Sequence, residues 1–409
     1  MSRRGGIVAA RQLHHGLLMQ RSRSGQLFVG LLLAMACNPP DASSNKTADS
    51  PPVAEPSGVT EPSGVTEPPP PKGPPIRKDG TVYADSELMG TRVSINVWAG
   101  DPPHADATAA GDAIAAAFNE MARLEQIMSE WRPDSELSRL SDAAGGETQS
   151  LSPELLEVLV ASRRIAEDTE GSFDPTFHGI GQLWSFKPDS TPPSTEEVKA
   201  KLPLVNWQEL RLDQTAGTGR LGLAGMKLGL GAIGKGYAAD KASALLTARG
   251  FPNHVVEVGG DTYAAGTKGG KPWMVGIQRP RTRGVVGALP SSDRAVVTSG
   301  DYQRFFEHEG QRYAHILDPR TGWPIPIERS PKSVTLVART ATDADAYCTA
   351  VAVMGVDAGM EFVEQREGLE VVIITQDDEV RISSGLQDEL VRPPSPTSPG
   401  PGGPRPQER

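Results

Sequence analysis

Apolar positions recur along this chain with two periods. "RVSINVW" (Arg92–Trp98) alternates apolar and polar side chains, the period of a half-buried strand. Farther on, Ile114, Ala117, Phe118, Met121, Leu124 and Met128 recur every three or four residues, which predicts an amphipathic helix over Ala109–Glu130. "SPELLEVLVASRRIAED" predicts another, with Ser152 as N-cap and Pro153 at the first helical position. "KLGLGAIGKGYAADKASALLTARG" reads as strand, glycine turn and helix, with Gly250 as the stop. "HVVEV", "WMVGIQ", "AVVTS", "SVTLVA" and "VVIIT" read as later strands, and helices near Asp343–Met354 and Ala358–Gln365 separate the last two. Strands and helices alternate throughout, so residues 81–391 are expected to form one large domain of mixed α/β (α+β) class.

The flanking segments lack this periodicity. Residues 38–80 carry "EPSGVT" twice in tandem and then "EPPPPKGPP", a composition expected of a disordered tether. Residues 392–409, "RPPSPTSPGPGGPRPQER", read as a disordered tail. In residues 1–37, Arg21 and Arg23 precede the short apolar run "GQLFVGLLLAMA" and Cys37, the layout of an export signal, for which Met19 is an alternative start. "LAMAC" resembles a bacterial lipoprotein box, so Cys37 is the expected lipidation site and the periplasm, at a membrane, the expected location. Cys348 is the only other cysteine, which excludes a disulfide framework and a metal-thiolate centre. The net charge of −10, with no Lys/Arg cluster beyond the extreme N-terminus, excludes a nucleic-acid surface.

The candidate chemistry begins at "LGLGAIGKGYAAD" (Leu228–Asp240). Gly229, Gly234 and Lys235 have the spacing of a phosphate loop, but Gly236 stands where a P-loop needs Ser or Thr to ligate Mg²⁺. Three turn-rich segments carry polar groups: "GSFDPTF", "VGGDTYAAG" and "TSGDYQRFF…YAHILDPRTGWP". Taken singly, Asp174, Asp261 and His315 read as turn or strand residues. In "DADAYCTAVAVMG", Asp345 and Thr349 lie four apart and face one way on a helix. Such a pair can share a hard cation; acidic residues complementing a helix dipole explain the same pattern without one.

Together, "LMGTRVSI", "MSEWRPDSELSRLS", "GSFDPTF…LW", "LGLGAIGKGYAAD", "VEVGGDTYAAG", "PWMVGIQRP", "VVTSGDYQRFF", "AHILDPRTGWPI" and "ATDADAYCTAVAVMG" closely resemble, in order, the FAD:protein FMN transferases of the ApbE family. The resemblance spans Tyr83 to Leu386 and implies a Mg²⁺-dependent enzyme. Such an enzyme moves FMN from FAD, its substrate, to a Thr or Ser hydroxyl of a target protein, a redox-pump or electron-transfer subunit, and releases AMP.

Carried over residue by residue, the resemblance implies FAD contacts at Met89, Trp131, Ser172, Phe173, Asp174, Lys235 and Leu317. It implies metal ligation by the Ala232 carbonyl, the Asp345 carboxylate and the Thr349 hydroxyl, with Asp345 and Lys235 acting in catalysis. His315 is the candidate proton acceptor, since an ordinary histidine titrates near neutral pH. The chain departs from the family at Gly229, where ApbE-type proteins usually have an FAD-contacting Asp. The expectation is looser FAD binding, which Gly229→Asp would tighten. The alternatives are a Mg²⁺-dependent FAD pyrophosphatase, a non-catalytic flavin-binding lipoprotein and a P-loop NTPase.

Overall fold

Eight strands form the central sheet of a computed structural model that describes residues 75–100, 106–282, 284–301 and 304–392. In spatial order they are Thr81–Leu88, Thr91–Trp98, His254–Val258, Asp261–Ala265, Arg294–Gly300, Ser333–Ala338, Glu370–Ile374 and Val380–Ile382. Every neighbouring pair is antiparallel. Antiparallel neighbours can be joined by two-residue turns with positive φ, whose twist matches that of the strands. Met89–Gly90 (φ 54° and 69°) and Gly259–Gly260 (φ 60° and 101°) are such turns.

Both faces of the sheet are covered, which is why "SVTLVA" is apolar without strict alternation. Val334 and Leu336 join Val297, Val371 and Ile373 under the helices. Val337 joins Val296, Val372 and Ile374 on the opposite face, against Val286 and Leu289. The latter pair belongs to a hairpin of Trp273–Gln278 and Val285–Ser291. On the helical side, Ala107–Met128, Gly234–Ala248 and Ala341–Met354 pack side by side. A third, aromatic cluster of Trp184, Phe306, Tyr313 and Leu317 lies apart from these two cores.

The mixed α+β class matches expectation, with two local differences. The helix expected from Asp343 begins at Ala341, because Thr340 caps it and Asp240, about a hundred residues earlier, accepts from the Ala341 and Thr342 N–H groups. The strand expected before the glycine turn does not form. Lys227 makes one isolated bridge to Phe177, and the next N–H groups go to Ser141 Oγ, the Pro175 carbonyl and the Glu130 carboxylate. Among the described residues no helix is long and apolar enough to cross a membrane. The expected signal with Cys37, all but the end of the tether, and the tail beyond residue 392 lie outside the described residues.

Candidate active site

The glycine loop, Leu228–Ile233, is the hub of the site. Glu130 Oε2 accepts from Leu230 N at 2.7 Å, which ties the loop to the end of the first helix and so to neighbouring Trp131. Burial raises the Glu130 carboxyl above its ordinary range, while the Leu230 and Gly231 N–H groups pull it down. Pro175 O accepts from Gly229 N at 2.8 Å, tying the loop to the "FDPT" turn. The Gly234–Ala248 helix then starts with no side-chain cap. One of its first N–H groups, on Gly236, donates instead to Asp345 Oδ2 at 3.1 Å.

Gly236 is required by that helix crossing. A Cβ there would lie 2.1 Å from the Ala341 carbonyl oxygen and 2.9 Å from Asp345 Cβ. The residue that would carry a hydroxyl in a P-loop is here the point where two helix starts touch. That close approach brings Asp345 onto the loop.

Lys235 lies between two buried carboxylates. Its Nζ is 3.0 Å from Asp345 Oδ1, 3.2 Å from Asp345 Oδ2 and 3.0 Å from Asp261 Oδ2. It also reaches the Gly231 carbonyl at 3.3 Å. Burial alone would lower the lysine's pKa, but Asp261 and Asp345 outweigh it and keep Nζ protonated. Burial pushes the Asp261 carboxyl up; Lys235 draws it back and Asp345 pushes it up again. Asp261 is more than the turn residue its sequence context implies. The Gly259–Gly260 turn starts the next strand at Asp261 and aims its carboxylate at Lys235; a two-glycine hairpin turn before an acidic residue was the available signal.

The two acidic residues of the last motif have separate roles. Asp343, in the first turn, pairs with Arg164, whereas Asp345 is 2% exposed and faces the loop. Thr349, one turn on, donates to the Asp345 carbonyl at 3.3 Å. Two carboxyl groups facing one ammonium offer hard oxygen donors, which suit a divalent cation. Among the described residues no group of three His, Cys, Asp or Glu side chains forms a metal cage. A cation here would therefore need water or substrate oxygens to complete its shell, as Mg²⁺ commonly does.

His315 is half-buried, and its Nδ1 lies 3.2 Å from the Arg304 carbonyl. A carbonyl only accepts, so Nδ1 carries the proton and Nε2 keeps its lone pair. Burial lowers its pKa against the raising effect of the Arg304 carbonyl, and the charges of Arg304 and Lys235 lower it further.

The other expected FAD contacts divide into accessible and committed groups. Trp131 is 77% exposed, its indole edge-on to His178 with centroids 5.4 Å apart. Met89 holds the positive-φ turn, its N–H donating to Glu125 at 3.0 Å. Ser172 is 1% exposed, and its Oγ has no partner among the described residues. Asp174 Oδ1 accepts from both Thr176 N and Thr176 Oγ1, and Oδ2 accepts from Trp207 N, which leaves Oδ2 one acceptor position. Asp174 nevertheless borders a cleft of about 400 Å³ with Glu170, Trp207 and Arg320. Phe173 packs in the main core and Leu317 in the aromatic cluster, so their apolar groups are committed to packing.

Gly229 packs against His178. A Cβ on it would stand 3.0 Å from His178 Cβ and 3.4 Å from His178 Nδ1. An Asp side chain there requires His178 to give by a few tenths of an ångström, so the fit of Gly229→Asp depends on that histidine.

The ApbE family model matches residues 89–373. A Treponema pallidum protein named FAD:protein FMN transferase is 34% identical over 326 residues, covering 75% of this chain and 88% of its own. A protein of the same name from Escherichia coli K12 is 31% identical over 301 residues, covering 72% and 84%. Among solved structures, the flavin transferase ApbE of Vibrio cholerae superposes with a TM-score of 0.66 at 30% identity, covering 76% of this chain and 99% of its own. The ApbE protein of Thermotoga maritima gives 0.67 at 30% identity with the same coverage. This chain belongs to the ApbE family.

Proposed function

We propose that the protein transfers FMN from FAD to a Thr or Ser hydroxyl of a target protein and releases AMP. The observation that carries this reading is the half-buried Lys235 ammonium held between the buried Asp345 and Asp261 carboxylates where the glycine loop enters its helix. A fixed cation beside a loop of backbone groups is suited to a dianionic pyrophosphate. The names of the relatives, FAD:protein FMN transferase, support the choice of donor and product.

In the reaction the acceptor oxygen attacks the flavin-side phosphorus. A new P–O ester bond forms, the bridging P–O bond breaks, and its electron pair leaves with AMP. His315 Nε2 takes the hydroxyl proton, while Lys235 offsets charge developing on the pyrophosphate oxygens. Rigid positioning supplies much of the remaining acceleration. Asp345, Thr349 and the Ala232 carbonyl would hold Mg²⁺, which would supply Lewis-acid neutralisation of the phosphates.

The segment from Arg21 to Cys37 supports export and lipid anchoring through Cys37, with residues 38–80 as tether. Outside the cytoplasm a donor with its own anhydride bond removes the need for ATP. Incubation with FAD, Mg²⁺ and an acceptor subunit tests the function. Mass spectrometry should show one FMN on the acceptor per AMP released. Equal FMN and AMP in solution with an unmodified acceptor would make the protein a pyrophosphatase instead.

A further inference from the structure

Gly229 and His178 meet across the loop, and their contact has a chemical consequence. His178 lies in a cavity of about 220 Å³ with Glu130, Trp131, Ser141, Gln182 and Lys227. The Gln182 amide nitrogen is 3.1 Å from His178 Nε2 and donates to it, so Nδ1 carries the ring proton. That N–H points to the side of the ring that borders Gly229, 3.4 Å from the place a Cβ would take. Burial and the Lys227 charge lower the His178 pKa to about 4, so the ring is neutral at physiological pH. Trp131 stands edge-on beside it with its indole face open to solvent.

We propose that His178 recognises the edge of a ligand ring in this cavity: its Nδ1–H donates to a ligand carbonyl or ring nitrogen. The ligand group is a flat heteroaromatic ring with an acceptor on its edge, covered by Trp131. Both the isoalloxazine and the adenine of FAD fit this description. The inference rests on the reading that Trp131 and the glycine loop face FAD, and it deepens that reading by assigning a residue that sets ring specificity.

The test is FAD, FMN and AMP affinity by calorimetry in the wild type, His178→Ala, Gly229→Asp and the double variant His178→Gly/Gly229→Asp. His178→Ala should weaken FAD about three- to tenfold, the effect of one lost hydrogen bond. It should weaken either FMN or AMP, whichever carries the recognised ring, and spare the other. Gly229→Asp alone should weaken FAD, and the double variant should recover affinity, because removing the His178 side chain clears the 229 position. FAD affinity within twofold of wild type in His178→Ala, or tighter binding in Gly229→Asp alone, would overturn the inference while leaving FMN transfer standing. Failure of the wild type to bind FAD would overturn both. If the two Asp-bearing variants do not fold, the His178→Ala comparison decides alone.

Discussion

The two flanks of the glycine loop are built differently. On the Lys235 flank, carboxylates that are nearly inaccessible surround one ammonium at about 3 Å, and two helix starts touch through a glycine. On the Trp131 flank, an exposed indole, a neutral histidine and a glycine border an open cavity. On the proposed function the first arrangement would fix charge where a pyrophosphate reacts, and a small displacement would be costly there. The second would grip a ring through contacts that single side chains can change. In this account the Lys235 flank sets the rate and the Trp131 flank sets the affinity.

The largest expected effect lies on the first flank. Asp345→Asn should slow transfer by more than about a thousandfold, since it removes a hard oxygen donor for the proposed cation and half of the charge that positions Lys235. FAD affinity without Mg²⁺ should change little. A purified variant with near-normal turnover would dissolve the contrast between the flanks.

His315→Ala should cost about two to four decades in rate, the usual contribution of a general base. Because the histidine pKa is lowered, the base stays neutral and active through neutral pH. The wild-type rate should fall only as pH drops through that lowered value, below the ordinary 6.5. A pH–rate profile should lose this acid limb in His315→Ala. An unchanged profile would move the proton acceptor elsewhere.

Gly236→Ala should destabilise the fold by about 1–3 kcal/mol through overpacking at the helix crossing. Thermal unfolding would show it. An unshifted midpoint would mean that the two helix starts separate easily, and that Asp345 is less firmly set against Lys235 than the geometry indicates.

The second flank gives an effect of similar size, on affinity rather than stability. Trp131→Ala should weaken FAD by roughly 1–3 kcal/mol, the usual range for a stacked ring, and Trp131→Tyr by much less. Flavin fluorescence quenching on binding would follow both. Equal losses in the two variants would exclude stacking.

How much of this the sequence discloses depends on the separation of the partners. Asp345 and Thr349 declare themselves by their four-residue spacing, because a helix converts that spacing into a shared face. The strand Arg92–Trp98 and the helix Pro153–Asp168 likewise follow from local period and capping. The contact of His178 with Gly229, the pairing of Asp261 with Lys235 and the capping by Asp240 of a helix about a hundred residues later depend on tertiary approach. The expected strand before the glycine turn failed for the same reason. Its N–H groups found Ser141, Pro175 and Glu130 instead of a neighbouring strand.

The most direct test of the division of labour is single-turnover FMN transfer, measured over a range of FAD concentrations for Asp345→Asn and Trp131→Ala beside the wild type. The account predicts that Trp131→Ala shifts the half-saturating FAD concentration and reaches a near-normal limiting rate. Asp345→Asn should remain slow however much FAD is supplied. If instead saturating FAD restores Asp345→Asn, or Trp131→Ala stays slow at saturation, the two flanks do not divide rate from affinity and the central claim is wrong.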